Sequence, residues 1–135
     1  MLVKLKITSN FSFGKLADSL PKIIEKHMQR TGRSSAEGAR ENISKGVSPP
    51  LKQSTINRRK ARGTGGSKPL FETGDLFRSI KGTSEGLEMN EYGLYHHKGH
   101  RAGHFPPRPF IFPSKKTILK SQDAFKRDIN KALKK

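Results

Sequence analysis

Four of the chain's five histidines, His96, His97, His100 and His104, fall within nine residues. Imidazoles at that density raise two chemistries. A zinc site takes three or four such donors in tetrahedral array. A hydrolase uses one as the base for a serine nucleophile, with a carboxylate to orient it. The surroundings support neither. There is no cysteine to share a metal, and Lys98 and Arg101 put positive charge in the same Gly-rich loop, against a bound cation. No serine sits in a Gly-x-Ser-x-Gly elbow. Asp and Glu number only 11, and no pair is clustered for acid–base or two-metal work. Residues 63–68 look like a phosphate loop but do not match its Gly-Lys-Ser/Thr ending. The expectation is therefore no enzyme, no cofactor, no catalytic residue and no resident metal. A surface that responds to pH stays open, because histidine titrates near neutrality.

Charge carries more information. Lys and Arg number 28, and the formal net charge is +17. Arg58, Arg59, Lys60 and Arg62 cluster on one short segment, with Lys52 and Lys68 beside them. Such a patch fits DNA phosphates, bound without reading sequence, or else a solvated face or a contact with an acidic protein neighbour. These readings stand open. The aromatic interleaving used for single strands is missing. A membrane partner is not expected: no apolar run approaches the roughly 18 residues of a span, and no helix pairs a wide apolar face with a basic one. The start of the chain has no signal-peptide core, and the lack of cysteine suits a reducing cytoplasm. Hydrophobic residues make up 31% of the chain, thin for one compact globule. Part of the apolar surface should be completed by partners.

The elements that hold these residues can be read in order, as a single domain over residues 1–135. Val3, Leu5 and Ile7 alternate with lysines, which predicts a strand over 2–8. Leu16, Leu20, Ile23, Ile24 and Met28 predict a helix. Pro21 argues for starting its main part near Ser19, and Ala36, Ala39 and Ile43 extend a long, interrupted arm to Gly46. A basic helix follows over 51–62, capped by Ser54 and stopped by Gly63. A flexible basic loop is expected over 58–68. Thr73 should cap a short helix over 74–80 that buries Leu76, Phe77 and Ile80, with Asp75 at its positive end. Residues 82–99 suit two strands reversing near Asn90, the second carrying Tyr92, Leu94 and His96. Pro106, Pro107 and Pro109 hold Arg108 and Phe110 extended. Arg108 so fixed serves either an interface ion pair or a local salt bridge. Ser114 should cap a last helix over 115–135 with a narrow seam of Ile118, Phe125, Ile129 and Ala132. The fold class is α+β: a small antiparallel sheet packed with N-terminal and C-terminal helices, with extended arms or loops for subunit contacts.

Four stretches in this order look familiar: Leu51 to Lys60, with Ser54 and Thr55; Leu70 to Ile80, with Thr73, Gly74, Leu76 and Ser79; Tyr95 to Gly99; and Pro107 to Phe110. Their order and spacing resemble the phage virion morphogenesis family, which includes the tail-completion proteins of Mu-like and P2-like tailed phages. The resemblance covers residues 45–113. It implies a structural, non-enzymatic virion component, made in the host cytoplasm and placed in the neck at the head–tail junction. Such proteins form rings, commonly sixfold, between head connector or adaptor proteins and tail terminator or tail-tube proteins, around a channel through which DNA passes. On this reading Tyr95, His96, Gly99, Pro107, Arg108, Pro109 and Phe110 contact neighbours. Arg58, Arg59, Lys60, Arg62 and Lys68 face DNA or an acidic partner. Leu51, Thr55, Leu70, Thr73, Gly74, Leu76, Ser79 and Ile80 shape the body. The alternative is a small basic nucleic-acid-binding protein.

Overall fold

One helix dominates the molecule. In the computed structural model, which describes residues 13–113 and 115–134, α1 runs unbroken from Phe13 to Lys45, 33 residues, or roughly 50 Å. The main helix does not start near Ser19, as Pro21 suggests it should, but carries Pro21 in its interior. Proline removes one N–H from the helical ladder, but Pro21 is exposed, so water can satisfy the carbonyl left free. The helix stops where expected, with Gly46 at φ 94°. Its buried stripe is Gly32, Ala36, Ala39 and Ile43, spaced to share one face.

Small residues on that stripe let a backbone come close. A Cβ on Gly32 would stand 2.0 Å from the Thr83 carbonyl oxygen, and one on Gly82 would stand 2.1 Å from the Gly32 oxygen. The segment that approaches is a short antiparallel hairpin. Its strands β1 (Lys81–Gly82) and β2 (Leu87–Glu88) pair Lys81 with Glu88 and Gly82 with Leu87. The fold is thus α+β, with a two-stranded sheet against helices. The strand expected at 2–8 and the Ser114 cap lie outside the described residues.

The hairpin differs from expectation in its position. The chain reverses at 83–86, where Thr83 N–H donates to the Gly86 carbonyl at 2.8 Å, not near Asn90. Residues 92–98 are helical: α4 spans Tyr92–Lys98. No β-branched residue favours a strand there. Helical spacing puts Tyr92 over His96 with ring centroids 6.1 Å apart, and it lets Tyr95 Oη donate to Glu91. Gly93 is buried, and a Cβ on it would meet Leu76 and Met89 within 2.8 Å.

The core joins Ala36, Ala39, Ile43 and Val47 to Leu76, Ile80 and Phe110, with Leu70, Phe77, Leu87, Met89 and Ile111 around them. Phe110, Ile43 and Ile80 are the largest side chains with no exposure, each worth roughly 1.5–3 kcal/mol of burial. Asn42 Nδ2 donates to the Phe110 and Phe112 carbonyls at 2.9 and 3.3 Å, strapping that extended segment to α1.

The last helix, α5 (Lys115–Leu133), lies antiparallel on α1. His27 meets Phe125 (ring centroids 4.5 Å apart), Thr31 meets Ser121 (3.1 Å), and Arg30 pairs with Asp128 (3.3 Å). The buried face is Ser121 and Ala124, offset from the expected seam. Phe125, Ile129 and Ala132 are half-buried, whereas Ile118 is exposed. The partner surface on α1 explains the offset: it offers polar Thr31 and Arg30 where an apolar seam would need aliphatics. No helix among the described residues is long and apolar enough to cross a membrane.

Candidate functional site

Between Pro49–Pro50, the basic helix α2 (Gln53–Arg62), the five-residue α3 (Asp75–Ser79) and the turn after α4 lies a cleft of about 830 Å³. Its walls come from all four sequence stretches. Leu51, Thr55, Arg58 and Arg59 line one side. Leu70, Glu72, Thr73, Gly74, Asp75 and Leu76 line the next, and Tyr92, His96, Phe105, Pro106 and Arg108 close it.

α2 begins at Gln53 with Lys52 at its N-cap position and no side-chain cap, so Ser54 does not have that role. Gly63, at φ 67°, ends it as expected by donating to the Lys60 carbonyl. Residues 58–62 are therefore helix rather than loop. The basic cluster divides by helical phase. Arg58, Lys60 and Arg62 are exposed, as is Lys68 beyond the helix, while Arg59 turns inward and is only 7% exposed. Arg59 Nη1 donates to the Lys68 carbonyl at 2.8 Å and the Gly66 carbonyl at 3.3 Å, tying down the Gly-rich loop. Its Nε faces Glu72 at 3.7 Å but makes no hydrogen bond. Glu72 also accepts from Thr64 Oγ1 at 2.8 Å and pairs with Arg62 at 3.6 Å.

Arg108 is the second guanidinium in the cleft, 8% exposed. Its Nε donates to the Pro49 carbonyl at 2.8 Å and its Nη2 to the Pro50 carbonyl at 3.4 Å. The local salt bridge is not present: among the described residues, no carboxylate lies within ion-pair distance of it. Burial, and then the nearby charge of Arg59, push its guanidinium below its ordinary pKa.

Each histidine of the cluster has its own surroundings. His96 lies edge-on to Tyr92 and tilted against Phe105, its Nδ1 buried and without a hydrogen-bond partner among the described residues. Burial, and then Arg108, hold it below the ordinary imidazole pKa. His97 Nδ1 accepts the Phe110 and Ile111 amides at 3.2 and 3.3 Å, and its ring packs edge-on to Phe110. His100 Nδ1 accepts the Gly103 amide at 2.9 Å. His104 is exposed at φ 53°. Among the described residues no group of three or more His, Cys, Asp or Glu is placed to hold a metal ion.

The residues expected at a subunit contact fall into two groups. Tyr95, Pro107 and Pro109 are exposed. Phe110 is in this chain's own core with no exposure, and Arg108 turns into the cleft, so neither offers itself on the outer surface. Gly99, at φ 80°, lies against Pro107, whose Cδ a Cβ would meet at 3.0 Å.

Thr73 does not take its expected place as the cap of α3, which has no side-chain cap bond. Thr73 Oγ1 accepts the Asp75 amide at 3.3 Å and donates to Asp75 Oδ2 at 2.6 Å, although the formal N-cap is Gly74 at φ 80°. The Thr73 hydroxyl, and then Arg78, hold the Asp75 carboxyl below its usual range. Ser79 Oγ donates to the Leu76 carbonyl and accepts the Asn90 amide. Leu76 and Ile80 are buried. Leu70, half-buried in the cleft wall, takes φ 63°, a strained choice for a branched side chain. The sequence reading missed Glu72, the Pro49 and Pro50 carbonyls, Tyr92 and Phe105. Glu72 alone had a signal, inside the Leu70 to Ile80 stretch. No family model, curated protein or solved structure matches this chain.

Proposed function

We propose that this chain is a structural component of a tailed-phage virion, acting at the head–tail junction as one subunit of a ring. The observation that carries the reading is how much surface a lone chain leaves open. Its accessible area is 10198 Å², against roughly 7,100 Å² for a compact monomer of its mass. The excess is larger than the 14 residues outside the described set would contribute if wholly exposed, at roughly 160 Å² each. Several of the exposed large hydrophobic side chains sit on the long helices. Phe13, Ile24 and Met28 on α1, and Ile118 and Leu119 on α5, are all more than 40% exposed. A neighbouring copy would cover such a stripe, as ring interfaces do. The resemblance of residues 45–113 to the virion morphogenesis family points the same way. The exposed cations Arg58, Lys60, Arg62 and Lys68 suit DNA in a channel or acidic adaptor and terminator proteins.

The test is electron microscopy of lysate from phage with an early stop codon in this gene. Filled heads beside separate, finished tails are expected. Normal infectious particles would refute a virion role and favour a basic nucleic-acid-binding protein.

A further inference from the structure

The cleft holds more buried positive charge than it neutralises. Arg59 and Arg108 are each more than nine-tenths buried, yet among the described residues only the Glu72 carboxylate approaches either, and it is shared with Arg62 and Thr64. The other carboxylate in the wall, Asp75, is engaged by Thr73 and Arg78. A buried cation is costly unless paired. Carbonyls fix both guanidiniums in place, so an incoming anion would meet donors already oriented. At the rim stand two more cations, Lys52 and Arg58. Around the guanidiniums the walls are prolines, leucines and the rings of Tyr92 and Phe105.

We propose that this cleft is a docking groove for an acidic, extended segment of a partner protein, with an aspartate or glutamate carboxylate seated between Arg59 and Arg108 and an apolar side chain against Tyr92 and Phe105. A planar carboxylate matches the guanidinium fork. The mixed lining suits a peptide of alternating acidic and apolar residues. Duplex DNA does not fit: its phosphates lie on a convex rod and meet exposed cations such as Lys60 and Arg62, not groups recessed behind Pro49 and Pro106. The net charge of +17 would steer any acidic partner toward the chain.

The probe is a short fluorescein-labelled peptide of alternating glutamate and leucine, titrated against the full chain by fluorescence anisotropy. Its glutamine–leucine counterpart and a short duplex DNA serve as comparisons. Binding at least about tenfold tighter than the glutamine peptide is expected. Arg108→Gln is the obvious variant, but it also frees the Pro49 and Pro50 carbonyls and would weaken the fold. Two others carry the test. Thr55→Trp fills the groove from α2. Arg58→Glu reverses a charge on its lining, and is read against Lys26→Glu, a matching charge reversal on an exposed residue of α1 outside it. Thr55→Trp and Arg58→Glu should each weaken the peptide by about tenfold and Lys26→Glu should not, with all three melting near the wild type. Equal binding by Thr55→Trp, equal loss in Lys26→Glu, or equal affinity for the glutamine peptide would overturn the proposal. So would displacement of the peptide by duplex DNA whose own binding Thr55→Trp abolishes, because the groove would then take phosphate. The measurement uses the isolated chain, so its outcome is independent of whether the protein is a virion component.

Discussion

Two glycines in the same helix should respond to the same substitution with opposite sign. Alanine in a helix interior is favoured over glycine by about 0.5–1 kcal/mol, because the glycine backbone loses more freedom on folding. At Gly38 nothing opposes that gain: a Cβ there would lie 3.5 Å from the Phe112 carbonyl oxygen, an ordinary contact. At Gly32 the Cβ would lie 2.0 Å from the Thr83 carbonyl oxygen, where carbon–oxygen contacts normally begin near 3.3 Å. More than about 1 Å of backbone must move to restore that contact distance. Thr83 is fixed by its bonds to Gly86, and α1 is held by α5 through Thr31 and Ser121. Overpacking of this kind costs about 1–3 kcal/mol, and a backbone-on-backbone conflict belongs at the upper end. Gly32→Ala should therefore lose about 2 kcal/mol net. For a chain of this length 1 kcal/mol moves the melting temperature by about 3–4 °C. Gly38→Ala should melt roughly 2–4 °C above the wild type and Gly32→Ala roughly 7 °C below it. Circular dichroism melts of the three proteins suffice. Equal stabilisation by both substitutions would mean that the hairpin does not lie on α1 at Gly32, and the placement of the sheet would fall with it.

Phe110→Ala removes the largest side chain with no exposure and should cost about 3–5 kcal/mol, read as a denaturant midpoint lowered with its slope unchanged; a loss under about 1 kcal/mol would remove Phe110 from the core. His96 gives a pH dependence of fixed sign. Its folded pKa is depressed by burial, then by Arg108, so its contribution is full above the unfolded value of about 6.5 and is lost as pH falls below that, where the unfolded chain takes up a proton that the folded chain resists. Melting temperature should drop between about pH 7.5 and 5.5, and His96→Gln should flatten that drop; an identical pH profile in the variant would show that His96 is not desolvated.

Much of the framework was readable, for reasons that can be located. Gly46 and Gly63 end helices because their positions demand left-handed backbone, and a single glycine after an apolar or basic run announces that. Leu76 and Ile80 were legible as core because four-residue spacing places both on one face of a short helix. Residues 92–98 were misread because Tyr-Gly-Leu-Tyr-His-His alternates as well as it winds. What decides for helix is Gly93 fitting against Leu76 and Met89, a tertiary contact that no local pattern contains. The seam of α5 was misplaced because an aliphatic heptad was sought, while the partner face of α1 presents Thr31, Arg30 and His27. The cleft was legible only as four separate stretches. Its partners Pro49 and Pro50 act through backbone carbonyls, which leave no mark on residue type.

The run from Arg58 to Arg62 shows why charge counting alone misleads about partners. With four cations in one turn and a half of helix, at least one must face the body, and here it is Arg59. That residue anchors Gly66 and Lys68 and is withdrawn from phosphates on the outer surface. Arg108 is likewise withdrawn from the outer surface. The cations left outside, Arg58, Lys60, Arg62 and Lys68, are held less firmly and are screened by salt. A polyanion binding only there should lose affinity steeply as salt rises. A carboxylate reaching the two buried guanidiniums would keep more of its affinity, because that pair lies away from the screening ions. Salt dependence therefore separates the two kinds of partner the charge suggests, and the difference follows from which arginines the helix turns inward.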